Sequence, residues 1–167
     1  MFIDYAEIRV AAGMGGSGMI AFRREKFVPK GGPSGGDGGK GGSVYARANS
    51  HLTTLIDCRF RKLYKAERGA HGSGKNASGA GGGDIYIEMP VGTVIKEKKT
   101  GSLLADLTEP NQVVFLAKGG RGGRGNAHFA TPTRRAPHTA EDGRPGEARE
   151  LILELKLLAD VGLVGFP

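Results

Sequence analysis

Tryptophan is absent from the 167 residues, and Cys58 is the only cysteine. That excludes a disulfide framework and a thiolate metal cluster. No run approaches the roughly 18 apolar residues of a membrane span. The opening MFIDYAEIRV has no basic region followed by an apolar stretch, as a signal peptide would, and it is not Arg/Ser-rich and acid-poor like a transit peptide. Cytoplasm is the default compartment. Aromatic residues are scarce and the hydrophobic fraction is 38%, enough for one thin core. Catalytic groupings are missing too. His51, His71, His128 and His138 are widely spaced with no companion cysteine, and Asp57-Cys58 has no nearby histidine. No acid, base and nucleophile assemble into an active site, and the chain as it stands reads as a non-enzyme.

What the chain has in excess is glycine, 30 residues of 167 against an average usage of about 7%. The glycines fall in tracts at 13–18, 31–42, 69–83 and 119–125. Residues 31–42 divide into the triplets GGP-SGG-DGG-KGG, and 119–124 repeat GGR-GGR. A period of three matches polyproline II, which has three residues per turn and no internal hydrogen bonds. Chains with two of three side chains removed can pack side by side and satisfy one another's backbones. The alternative is a set of flexible linkers. Four such linkers inside one small domain would be unusual, which favours order.

Between the tracts, β-favouring segments recur at 3–10, 19–23, 43–47, 52–58, 60–64, 84–89, 93–95, 103–107, 113–117 and 151–157. Residues 98–101 form the turn of a hairpin. No long amphipathic helix is legible, and the pattern predicts a mainly β protein, a small barrel or sandwich. Gly13-Met14-Gly15-Gly16-Ser17-Gly18 matches a dinucleotide fingerprint by letter only, since a strand-like run follows where the chemistry needs a helix N-terminus. The apolar run 161–165 reads as a strand buried on both faces.

The net charge is +7, and its distribution is uneven. Segments 23–30, 59–75 and 118–135 hold 15 of the 24 Lys and Arg, with only Glu25 and Glu67 against them, a net +13 over 43 residues. Each borders a glycine tract. Solvated loops would intersperse acids, so the concentration favours a nucleic-acid partner. The rings of Phe22, Phe27, Tyr64, Phe129 and His128, in or beside these segments, suit either base stacking or packing on the barrel, with core packing the first expectation for each aromatic taken singly.

The segments FRREKFVPKGGPSGGDGGKGG (22–42), KGGRGGRGNAHFATP (118–132) and LELKLLADVGLVGFP (153–167) resemble those of the Obg GTPases. The resemblance implies packed glycine-rich polyproline-II helices projecting from a small β-barrel over residues 1–158. Residues 159–167 would then be the first strand and nucleotide-loop start of a Ras-like GTPase domain, cut short at this point. It further implies a cytoplasmic monomer that binds the large ribosomal subunit, its 23S-type rRNA near the peptidyl transferase centre, in assembly and stress. GTP or GDP, Mg²⁺ and guanosine tetraphosphate would belong to the following domain, and this fragment would hold no cofactor or metal. The implied RNA-facing residues are Arg23, Arg24, Lys26 and Lys30, then Lys65, Arg68, His71 and Lys75, then Arg121, Arg124 and His128. Gly165, Phe166 and Pro167 match the opening of the nucleotide loop. The residue-based rivals are a flexible RGG-type RNA binder and a self-assembling structural module.

Overall fold

Ala6, Ile8 and Val10 alternate with Tyr5, Glu7 and Arg9, and strand β1 (Tyr5–Ala11) turns the first set inward and the second to solvent. The computed structural model describes residues 1–157 and 164–166. The remaining elements are β2 (Val44–Asn49), α1 (Ile56–Phe60), β3 (Leu63–Lys65), β4 (Ile85–Pro90), β5 (Thr93–Glu97), β6 (Leu103–Asp106), β7 (Val113–Ala117), a 3₁₀ turn (Asn126–Phe129) and β8 (Ala148–Leu155). One sheet has the order β3-β1-β8-β5-β6, the other β4-β2-β7. Their inner faces share one core, in which Val10, Val44, Ile95, Met89, Leu151 and Leu153 are fully buried.

The protein is mainly β, but the two sheets are open, each with two edges, and do not close into the small barrel expected. Residues 52–58 are not a strand. Leu55, at the N-cap of the short helix α1, and Cys58 within it are both buried and lie three apart, the first turn being closed by the Arg59 amide donating to Leu55 O. Burial pushes the Cys58 thiol pKa up, the reverse of what a nucleophile needs. Residues 19–23 form no strand either. Residues 161–163 of the expected terminal strand, and Pro167, lie outside the described residues.

The glycine tracts belong to three excursions from the sheets, each going out and back. Residues 12–43 leave β1 and return to β2, 66–84 join β3 to β4, and 118–147 join β7 to β8. Within the first, the amides of Gly13, Gly16 and Met19 donate to the carbonyls of Gly42, Gly39 and Gly36. In the second, Glu67, Ala70 and Ser73 donate to Gly83, Ala80 and Ala77. In the third, Glu147, Arg144 and Glu141 donate to Lys118, Arg121 and Arg124. The excursions are cross-linked at the same spacing. Gly42, Gly39 and Gly36 donate to Glu67, Ala70 and Ser73, while Gly41 and Gly38 donate to Gly120 and Gly123.

Every ladder advances three residues per bond, so in each triplet different positions face different neighbours. Segment 34–42 is central and touches both other excursions. A Cβ at Gly39 would collide with the Ala80 carbonyl, and one at Gly38 with that of Gly16. Glycine is required here because backbones lie against one another. The tracts are hydrogen-bonded structure, in contrast to free linkers.

Candidate nucleic-acid interface

Because every excursion pairs its outgoing and returning arms, all three turning points lie at the end of the array away from the sheets. They are residues 20–33, 73–77 and 126–140. The first closes on a turn in which the Val28 amide donates to Glu25 O at 3.1 Å. The second is a tight turn over Gly74–Ala77, with Lys75 and Asn76 at φ 58° and 56°. Two consecutive left-handed residues without glycine is a strained arrangement. Lys75 is exposed on this turn.

Asn126 ties these turns together. Its side chain is wholly buried. Oδ1 accepts the Gly35 amide at 2.8 Å, and Nδ2 donates to Ala21 O and Pro137 O, each at 3.1 Å. Asp37, next along the central arm, accepts the Gly125 amide at 2.8 Å and the His128 Nε2 proton at 2.8 Å. Sequence reasoning passed over both residues. One polar side chain in a glycine-rich stretch carries no signal of its own, although Asp37 occupies the side-chain position of its triplet.

The predicted contact residues do not all converge. Arg23, Arg24 and Lys75 line one cleft of about 500 Å³ between the first and second turns, together with Ser34 and Asn76. Lys26 and Lys30 lie on the same first turn, and His128 stands at the same end. Arg68, His71, Arg121 and Arg124 lie along the arms instead. There His71 Nδ1 accepts the Ser17 amide at 2.9 Å, and Arg68 Nη2 lies 3.4 Å from its Nε2. Lys65 is on β3, at the sheet end of the array. The reason is topological: segment 59–75 runs from α1 through β3 to the second turn, so only its last residues reach the tip. Gly165 and Phe166 are exposed, and nothing lies against Gly165.

Charge is also less free than the composition suggests. Arg124 donates Nε and Nη2 to Glu141 at 3.0 and 2.7 Å, and with the Arg124 amide this lowers the carboxyl pKa to about 2. Arg23 pairs with Glu25 at 2.8 Å. Among the described residues, Arg24, Lys26, Lys30, Lys65, Arg68, Lys75 and Arg121 are exposed and form no ion pair. The end of the array thus presents exposed cations on all three of its turns, Arg134 and Arg135 on the third, held by a buried amide network. No helix among the described residues is long and apolar enough to cross a membrane.

The family model described as GTP1/OBG matches residues 3–157. Proteins called GTPase Obg are 60% identical to this chain in Desulfitobacterium hafniense over 167 residues and in Chlorobaculum tepidum over 166. The one in Thermodesulfovibrio yellowstonii is likewise 60% identical over 166 residues. The alignments cover 99–100% of this chain but 39%, 50% and 49% of those proteins, so the chain spans at most half the length of these relatives. The chain belongs to the GTP1/OBG family.

Proposed function

We propose that this member of the GTP1/OBG family is a ribosome-binding module, which contacts 23S-type rRNA of the large subunit near the peptidyl transferase centre with the far end of its glycine array. The observation that carries the reading is the meeting of Arg23, Arg24 and Lys75, from separate excursions, in one cleft, with Lys26 and Lys30 on the adjoining turn. Phosphates attract such a cluster, and a stiff projection carries it into a crevice that a globular surface cannot enter. The arms are polyproline-II helices on this reading, supported by the three-residue hydrogen-bond period. At about 3.1 Å per residue, the nine residues from 12 to 20 reach roughly 28 Å.

The bonds made by Gly120, Gly123 and Gly125 favour this reading over a flexible RGG segment. The module itself is non-catalytic and acts as a cytoplasmic monomer over residues 1–158. The longer protein is a GTPase of large-subunit assembly and stress response, a reading supported by the name its relatives carry. GTP or GDP and Mg²⁺ are held by that further domain, where Gly165, Phe166 and Pro167 begin the nucleotide loop.

The test is binding of the chain to purified large subunits across a salt series. Arg24→Ala with Lys75→Ala is expected to weaken binding and to lower the log–log salt slope by about 0.7–0.9 per lost phosphate contact. Lys99→Ala, on the exposed hairpin turn of the sheets, is expected to change neither. Equal losses from both sets of changes would reduce the interaction to general charge attraction.

A further inference from the structure

Five phenylalanine and tyrosine side chains lie in or beside the basic segments, and the structure separates them. Tyr64 is buried, its hydroxyl 3.8 Å from Cys58 Sγ. Phe22 is half-buried, its ring 4.9 Å from that of His138. Phe129 is half-buried too, with the Arg124 guanidinium 5.1 Å from its ring centre. Two are left in water: Phe60, 75% exposed on α1 at the sheet end, and Phe27, 87% exposed at the far end of the array.

The place of Phe27 makes its exposure specific. Glu25 and Val28 pair across the turn, so Lys26 and Phe27 form its apex, the outermost point of the first excursion. The ammonium of its neighbour, Lys26 Nζ, lies over the ring at 5.7 Å from the centroid. A phenyl ring at the apex of a polar turn forfeits the hydrophobic stabilisation that burial would give it. Nothing in the fold requires it there, because the turn is closed by backbone bonds. Arg23, Arg24, Lys26 and Lys30 surround the apex with Glu25 as the one acid, and Glu25 is already paired to Arg23. An apolar protein groove would have to accommodate this ring of cations. A nucleic acid supplies what both features need, phosphates for the cations and a flat face for the ring.

We propose that Phe27 is a base-stacking side chain, which takes an unpaired nucleobase of the bound RNA on its open face while the flanking cations hold the adjoining phosphates. The inference rests on the RNA-binding reading above and adds to it a ligand class and a residue that carries no charge.

The experiment measures binding of the full chain and its Phe27→Ala, Phe27→Leu and Phe27→Trp variants to purified large ribosomal subunits over a salt series. The chain has no tryptophan, so Phe27→Trp also installs a single, selectively excitable tryptophan at the apex. Phe27→Ala and Phe27→Leu are expected to lose roughly 5- to 150-fold in affinity. Their salt slope should stay unchanged, because no phosphate contact is removed. Phe27→Trp is expected to keep its affinity, with its emission quenched on binding. Full affinity in Phe27→Ala, an unquenched Phe27→Trp complex, or rescue by leucine as complete as by tryptophan would overturn the stacking role. Rescue by leucine would indicate an apolar protein pocket. Each of those outcomes leaves the RNA-binding reading standing. That reading fails separately, if the unaltered chain shows no salt-dependent binding to the subunits at all.

Discussion

Asn126 Oδ1 accepts the Gly35 amide at 2.8 Å across 91 residues of chain. It occupies the next step of the ladder in which Gly41 and Gly38 donate to Gly120 and Gly123. Where the third excursion turns away, a side-chain amide takes over from the backbone carbonyl. Its other end donates to Ala21 O and Pro137 O, so one carboxamide satisfies groups from both sides of the tip.

Replacing Asn126 by Ala should therefore destabilise the protein well beyond an ordinary polar deletion. It leaves the buried Gly35 amide and the Pro137 carbonyl without partners, at about 1–3 kcal/mol for each group that stays buried, while Ala21 O keeps the Ser34 amide. Asn126→Asp should be at least as harmful, because a carboxylate would face the carbonyls of Ala21 and Pro137. Denaturant unfolding measures both. Hydrogen exchange at Gly35 and Ser34 should accelerate in each variant, and an unchanged unfolding midpoint in Asn126→Ala would contradict the hub role.

The glycine array makes a sharper contrast available between two positions of the first excursion. A methyl group at Gly39 would meet the Ala80 carbonyl, whereas one at Gly32 meets nothing within 4 Å. Gly39→Ala should cost about 3 kcal/mol or more, since backbone and not a flexible side chain must move aside. Gly32→Ala should be close to neutral. For a chain of this size, the first corresponds to a fall in Tm of roughly 6–12 °C. Similar melting curves for the two variants would mean that the arms are not packed as described.

The sheets were largely legible, because each strand reports its own burial. Ile85 and Ile87 alternate with Tyr86 and Glu88, and the hairpin β5–β6 turns where 98–101 place it, with Gly101 at φ 69°. The triplets were equally open to reading, since a period of three constrains the chain locally. What failed was local resemblance without a local cause. Met19-Ile20-Ala21-Phe22 has strand composition, yet its amides go to Gly36 O and Asn126 Oδ1 in the array. Leu52–Cys58 has β-favouring composition, but the buried pair Leu55 and Cys58, three apart, shares a face only on a helical turn. The barrel expectation failed because sheet closure depends on which edges pair. At the candidate site, basic segments could be found by counting, but not their spread along the arms. That depends on register between excursions, such as Gly38 with Gly123, which no single segment encodes.

The spread bears on Arg124, which composition groups with the RNA-facing cations. Its guanidinium is taken up by Glu141, and the pairing holds the Glu141 carboxyl at a pKa of about 2, with the Arg124 amide adding to the effect. A carboxyl depressed in the folded state stabilises the fold above its unfolded pKa of about 4.3, and that contribution disappears as pH falls through the folded value. Both side chains are solvent-exposed, so the effect should be modest and weakened by salt. Thermal melts of the chain and of Glu141→Gln should differ by a constant gap from pH 7 to about 4.5. The gap should narrow below that and close near pH 2. Other depressed carboxyls, such as Glu7 beside Lys98 and Glu25 beside Arg23, titrate in both proteins and cancel from the comparison. A gap that persists undiminished at pH 2 would show that the glutamine change acts through packing. A gap that closes there marks Arg124 as a clamp between the two arms of the third excursion, which frees Arg24 and Lys75 to carry the phosphate contacts.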